Sequence, residues 1–150
     1  MDVTRSDFTR PIVVAVMLTL SGEIVIFFLW GVVFFPGGVL LHKAVWAGTC
    51  SLAMGATIGA LVNVVVTGRM DGRRAMLWTG SIYFIVLALC TFLCFRIDMA
   101  TGGHFGAREA PLLFIAGGLI PALGSSPVYS WLLVSKTGAK FLSRIGCKPI

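Results

Sequence analysis

Charge is what this sequence has least of. Only 12% of its 150 residues are Asp, Glu, Lys or Arg, and just six of them are acidic. An ordinary soluble domain carries roughly a quarter charged residues, so a water-soluble enzyme is excluded. A disordered chain is excluded as well, because 57% of the residues are hydrophobic and the mean hydropathy is +0.95. The four cysteines, Cys50, Cys90, Cys94 and Cys147, form no Cys-x-x-Cys pair and are too sparse for a disulfide-stapled module. Gly-x-Ser-x-Gly, a Walker loop and a dinucleotide fingerprint are absent. No catalytic constellation is recognisable, so the sequence predicts a non-enzyme and no cofactor.

What is present is apolar length. Four runs are long enough to cross a bilayer, which takes about 20 helical residues: 11–35, 44–67, 76–95 and 111–134. A β-barrel needs shorter alternating segments, and none occur. The expected fold is an all-α integral membrane protein, one domain over 1–150, built as a bundle of four transmembrane helices with a tail over 135–150. The first run follows Arg5 and Arg10 but is too long for a signal-peptide core, so it is expected to be retained.

Orientation follows the basic residues. Arg5, Arg10, Arg69, Arg73, Arg74, Lys136, Lys140, Arg144 and Lys148 share one side; Lys43, Arg96 and Arg108 take the other. This distribution predicts both termini in the cytoplasm and a plasma (inner) membrane location. The net charge of +6 is then a topology signal and a draw for anionic lipid, not for nucleic acid. In the tail, Lys136, Lys140, Arg144 and Lys148 recur every four residues, which suits a short helix on the inner leaflet. Gly138, Gly146 and Pro149 favour a frayed tail instead.

Two helices carry packing signals. Ser51, Gly55, Gly59 and Asn63 form a four-residue stripe that lets another helix approach at backbone distance. The stripe is expected to pack within the chain, with an oligomer interface as the alternative. Pro121, Gly124 and Pro127 crowd the fourth helix and predict a kink or break there, a possible hinge at a solute site.

Glu23 is the one charge inside the four runs. Such residues are expensive in lipid and face a protein interior or a wet cavity. With no Lys or Arg in any span to pair with it, Glu23 is expected to be neutral, hydrogen-bonded to other helices, hydrated, or paired outside the chain. Depth counting places Thr57, Tyr83, Ser125 and Ser126 near its level and Asn63 closer to the cytoplasmic side, giving a candidate ion or solute site. The plain alternative is a protonated Glu holding helices together.

Cys50 and Cys90 fall at similar depth, and Cys90 and Cys94 share a helix face. Sulfur ligands suit a soft ion, yet small buried hydrophobes are the simpler reading. His42, Asp98 and His104 lie outside without ligand spacing, so no metal is expected there either. Gly102, Gly103 and Gly106 predict a mobile outer loop. Trp30, Trp46, Trp78 and Trp131 lie near span ends like interfacial anchors.

Function is therefore expected to be transport or a channel, with Glu23 coupling a small solute to a proton or cation in an oligomer. An accessory or assembly subunit of a larger membrane complex is the alternative. A membrane-embedded enzyme comes third.

Overall fold

A computed structural model describes residues 5–103 and 105–146, with side chains from residue 9 onward. His104, Cys147 and Lys148 lie outside the described residues, as does the side chain of Arg5. The described chain is helical: α1 (Arg5–Ile26) continuing into a π-helical segment (Phe27–Phe34), α2 (Leu40–Val65), α3 (Gly72–Thr101), α4 (Pro111–Val134) and a short α5 (Lys136–Arg144). Four helices are long and apolar enough to cross a membrane: Thr9–Phe34, Leu40–Val65, Gly72–Thr101 and Pro111–Val134.

Contacts run α1 to α2, α2 to α3, α3 to α4 and α4 back to α1, densest in the first and third of these pairs. We call the end bearing residue 5, the 66–71 connection and α5 basal, and the end bearing 35–39 and 102–110 apical. The core is a band midway along the helices, with Val14, Ala15, Ile58, Tyr83, Val86, Ala122 and Tyr129 all buried. Polar groups tie the helices across it. The Thr19 hydroxyl donates to the Ser51 carbonyl (2.9 Å), Tyr129 Oη to the Pro11 carbonyl (2.9 Å) and Ser130 Oγ to the Met76 carbonyl (2.9 Å).

The small-residue stripe faces α1 of the same chain. A Cβ built on Gly55 would lie 2.5 Å from Val16 Cα, and one on Gly59 would lie 2.3 Å from Ile12 Cα. Only hydrogen fits there, so these glycines set the spacing of α1 and α2.

Helix α4 is continuous from Pro111 to Val134. The break expected at Pro121, Gly124 and Pro127 does not occur. Each proline removes one backbone donor, a loss that the surrounding turns and the contacts with α3 carry. Ser125 Oγ donates to the Pro121 carbonyl at 2.7 Å, and Gly118 presses against the Thr91 side chain. The irregular winding lies in the first span instead, where Phe35 N donates to Trp30 O at 3.1 Å, a five-residue step.

Helix α3 runs six residues beyond its expected end at Phe95. Arg96 ends an apolar run without ending a helix; Gly102, at φ +119°, does so in the left-handed conformation that glycine adopts freely. The tail does form α5. Ser135 Oγ accepts from Gly138 N (2.8 Å), and Gly138 lies so close to Leu132 that a side chain would collide with its backbone.

The apical end holds two buried charges. Lys43 is 1% exposed, and its ammonium donates to the carbonyls of Gly31 (2.7 Å) and Phe35 (2.6 Å). It closes the open end of the first span, where carbonyls lack helical partners and a cation is favoured. Asp98, also 1% exposed, accepts from Phe105 N (3.2 Å) and Ala107 N (3.1 Å). Phe105 is buried and stacks on Trp46, ring centroids 4.7 Å apart. The outer loop is thus pinned rather than loose. Gly103 and Gly106 supply its positive-φ turns (+74° and +81°), and Gly106 makes room for the Phe35 ring.

Three substitutions test this frame. Gly59→Ala is expected to cost about 1–3 kcal/mol by overpacking, while Gly48→Ala, which meets open space, stays within about 0.5 kcal/mol. Lys43→Met is expected to cost about 1–3 kcal/mol, since it strands two carbonyls. Detergent-induced unfolding in mixed micelles, followed by helicity, reads each value.

Candidate functional site

Glu23 lies one turn before the π-helical segment and lines an apical cavity of about 50 Å³. All four spanning helices contribute: Trp30 from the first, Cys50 and Met54 from α2, Thr91 and Cys94 from α3, Phe114 and Gly117 from α4. Phe105 adds a wall from the pinned loop. A water needs at least about 10–15 Å³ of such space, so the cavity has room for a few waters or one small ion. A drug-sized solute, needing about 300 Å³ or more, does not fit.

Inside it, Trp30 Nε1 is buried without a hydrogen-bond partner. Trp30 and Trp46 therefore do more than anchor an interface. Glu23 also borders a side crevice between α1 and α2, with Leu20, Ile24, Phe27, Ala44, Ala47 and Gly48. The carboxyl stands between the cavity and that crevice.

The expected companions of Glu23 are elsewhere. Thr57 is exposed on α2 and returns its hydroxyl to the Ala53 carbonyl (2.7 Å). Tyr83 is buried in the central band, tilted against Tyr129 with ring centroids 4.9 Å apart, and Ser125 neighbours its hydroxyl. Ser126 is buried and borders a groove between α3 and α4. Asn63 is buried nearer the basal end, beside the Thr67 hydroxyl (3.5 Å). None of these five lines the Glu23 cavity.

The cysteine geometry also differs from depth counting. Cys94, not Cys90, meets Cys50, with the sulfurs 3.7 Å apart. Depth alone leaves Cys90 level with Cys50 even with the observed helix ends; the face that α3 turns to α2 decides which thiol meets it. Among the described residues, no three His, Cys, Asp or Glu side chains converge as a metal site. Asp98 is committed to the outer loop, and His42 is exposed beside it.

The sequence places Lys43 with the outer charges and Asp98 among the metal candidates; both are buried parts of the apical frame. One signal marks Lys43. Stepping back by four from Ser51 passes Ala47 and reaches Lys43, and all three are buried on the face that continues to Gly55 and Gly59. The cation lies in register with the packing stripe.

A second cavity, about 420 Å³, occupies the basal end. It too is lined from all four helices, by Arg10, Val62, Ala75, Thr79 and Leu133 among others. Between the two cavities lies the central band. On α2 the gap runs from Met54 to Val62, about 12 Å of helix rise. Val14, Ile58 and the Tyr83–Tyr129 pair fill it. No family model, curated protein or solved structure matches the chain.

The sulfur pair offers a direct check of this geometry. Mild oxidation is expected to couple Cys50 to Cys94, a bond that needs the sulfurs to close to about 2.05 Å. Intact mass should fall by two hydrogens, both thiols should become resistant to maleimide, and Cys94→Ser should abolish the change. Coupling of Cys90 instead would shift α3 by a turn.

Proposed function

We propose that this chain is a small transport protein, a bundle of four transmembrane helices with both termini in the cytoplasm of a plasma (inner) membrane. Glu23 is its titrating group, coupling a proton or small cation to movement of solute. The observation that carries this role is the placement of Glu23. It is the one acid in the middle part of the apolar spans, Asp98 lying in the last turn of α3, and it lines a cavity that every spanning helix helps to enclose. An intramembrane ionisable residue at such a cavity marks a pathway more often than a packing contact. The two cavities, toward opposite ends of the helices with the buried Tyr83–Tyr129 band between them, support a pathway closed at its middle.

Volume limits the cargo. The apical cavity suits protons, water or one small ion, so a larger solute requires widening or a pathway shared between copies in an oligomer. The basic residues support the orientation. Lys43 is spent on capping, and Arg108 folds onto the Met99 carbonyl (2.9 Å), so two of the three apical basic residues have structural work and Arg96 is exposed, while at the basal end Arg69, Arg73 and Arg74 are all exposed. Anionic inner-leaflet lipid is the matching surface for them and for α5. No catalysis and no resident cofactor are assigned.

The side crevice favours one second role. A helix of another membrane protein docked between α1 and α2 reaches Glu23 from the lipid side, which is what an accessory subunit requires.

Glu23→Gln separates the two. In proteoliposomes with an imposed pH gradient and an internal pH dye, wild type is expected to dissipate the gradient and the variant to do so at least about tenfold more slowly, with unchanged assembly. Equal rates remove Glu23 from any coupling. Loss of a co-purifying subunit, with no proton flux in wild type, establishes the accessory role instead.

A further inference from the structure

The basal cavity holds two polar groups that lack partners. Thr79 is fully buried, 0% exposed, and its hydroxyl makes no hydrogen bond. The Nε of Arg10 is buried and equally unpaired. The remaining guanidinium makes one long contact, Nη2 to the Leu132 carbonyl at 3.5 Å. Both residues line the same space. More than nine-tenths of buried polar groups find a partner, so two orphans on residues that line one cavity point to an acceptor, which meets them once the side chains turn toward that space.

The chemistry of the pair narrows that acceptor. A guanidinium offers five N–H donors and no acceptor, and a threonine hydroxyl donates one more. Carboxylate and phosphate oxygens satisfy both, and with arginine they form the strong, charge-assisted class of hydrogen bond. The walls of Val62, Val66, Ala75 and Leu133 lower the local dielectric and strengthen attraction to a cation. The volume of about 420 Å³ lies in the range of small-molecule sites. Asp71 is the one acid of the lining; it is exposed in the basal connection and, among the described residues, forms no ion pair with Arg10. At that solvent-facing edge its repulsion is screened.

We propose that the basal cavity is an oxyanion site, in which Arg10 and Thr79 hold a phosphate or carboxylate group of a free solute or of an anionic lipid headgroup. The site stands independently of proton coupling through Glu23. Its ligand enters from the basal side, between the connection over 66–71 and the end of α4.

The test uses the full chain in nanodiscs of phosphatidylcholine, titrated with inorganic phosphate while the thermal unfolding midpoint is read. A parallel set contains phosphatidylglycerol, with retained lipid counted by native mass spectrometry. Wild type and Arg73→Gln, an exposed charge outside the cavity, should be stabilised by phosphate, whereas Arg10→Gln should not respond. Thr79→Val keeps the shape and removes an unpaired buried hydroxyl, so its own stability should be equal or higher. Its phosphate affinity should nevertheless fall about tenfold. If phosphate has no effect but phosphatidylglycerol is retained by wild type and lost from Arg10→Gln, the headgroup is the ligand and the site holds. If neither probe responds to Arg10→Gln, or Arg73→Gln loses as much as Arg10→Gln, the oxyanion site is refuted.

Discussion

The Lys43 ammonium holds the apical end of the molecule together. A spanning helix that stops inside an apolar layer strands its last carbonyls, and lipid offers them nothing. Lys43 reaches from the first turn of α2 to the carbonyls of Gly31 and Phe35, so the first span ends on a cation supplied by the second. The wide winding of Phe27–Phe34 ends on that clamp. Gly31, with no side chain, lets Lys43 and Phe105 close on it. The loop that brings Phe105 is in turn fixed by Asp98. One buried cation and one buried acid, each satisfied mainly by backbone, build the roof over Glu23.

Below that roof, spacing is set by glycine. Gly55 and Gly59 bring α1 and α2 to backbone contact, and Gly80 and Gly118 seat the Ser130 and Thr91 side chains between α3 and α4. Lipid tails are as apolar as leucine, so close packing and interhelical hydrogen bonds hold such helices together. Tyr83 of α3 and Tyr129 of α4 meet in the middle of their own pair, and the Tyr129 hydroxyl reaches across to the Pro11 carbonyl of α1. The space shared by the four helices is filled at that level and open above and below, which leaves two cavities with a closed middle.

The four spans were legible because hydropathy over 20 residues is a bulk property that single substitutions barely move. Glu23 was legible as an exception to it. Its neighbours were not. Depth counting treats each helix as beginning where charge ends, yet α3 continues past Arg96 to Gly102 and α2 begins at Leu40, before His42 and Lys43. Which face of α3 turns to α2 decides that Cys94 rather than Cys90 meets Cys50. Rotation was equally hidden: Thr57 points to the outside, and the Gly55–Val16 and Gly59–Ile12 contacts set it basal to the level of Glu23. Pro121 and Pro127 do not break α4, since a proline costs a helix one bond locally while the turns on either side keep theirs. The π winding has no comparable sequence mark, because it answers to Lys43 and Phe105, both distant along the chain.

The two cavities differ in the charge they suit, and that difference constrains any mechanism. The apical one presents a carboxyl, sulfur and an indole N–H in about 50 Å³; the basal one presents an arginine and a threonine in about 420 Å³. A single ion cannot be held well by both, since a group attracted to a guanidinium is repelled by a carboxylate. If solute passes through, its charge must be balanced differently at the two ends, and a carboxyl that gains or loses a proton is the simplest way to do so. An anion held at Arg10 and a proton carried at Glu23 sum to a neutral pair, which crosses an apolar band far more cheaply than either charge alone. The Tyr83–Tyr129 contact is then the point where such a pair must be admitted together or not at all.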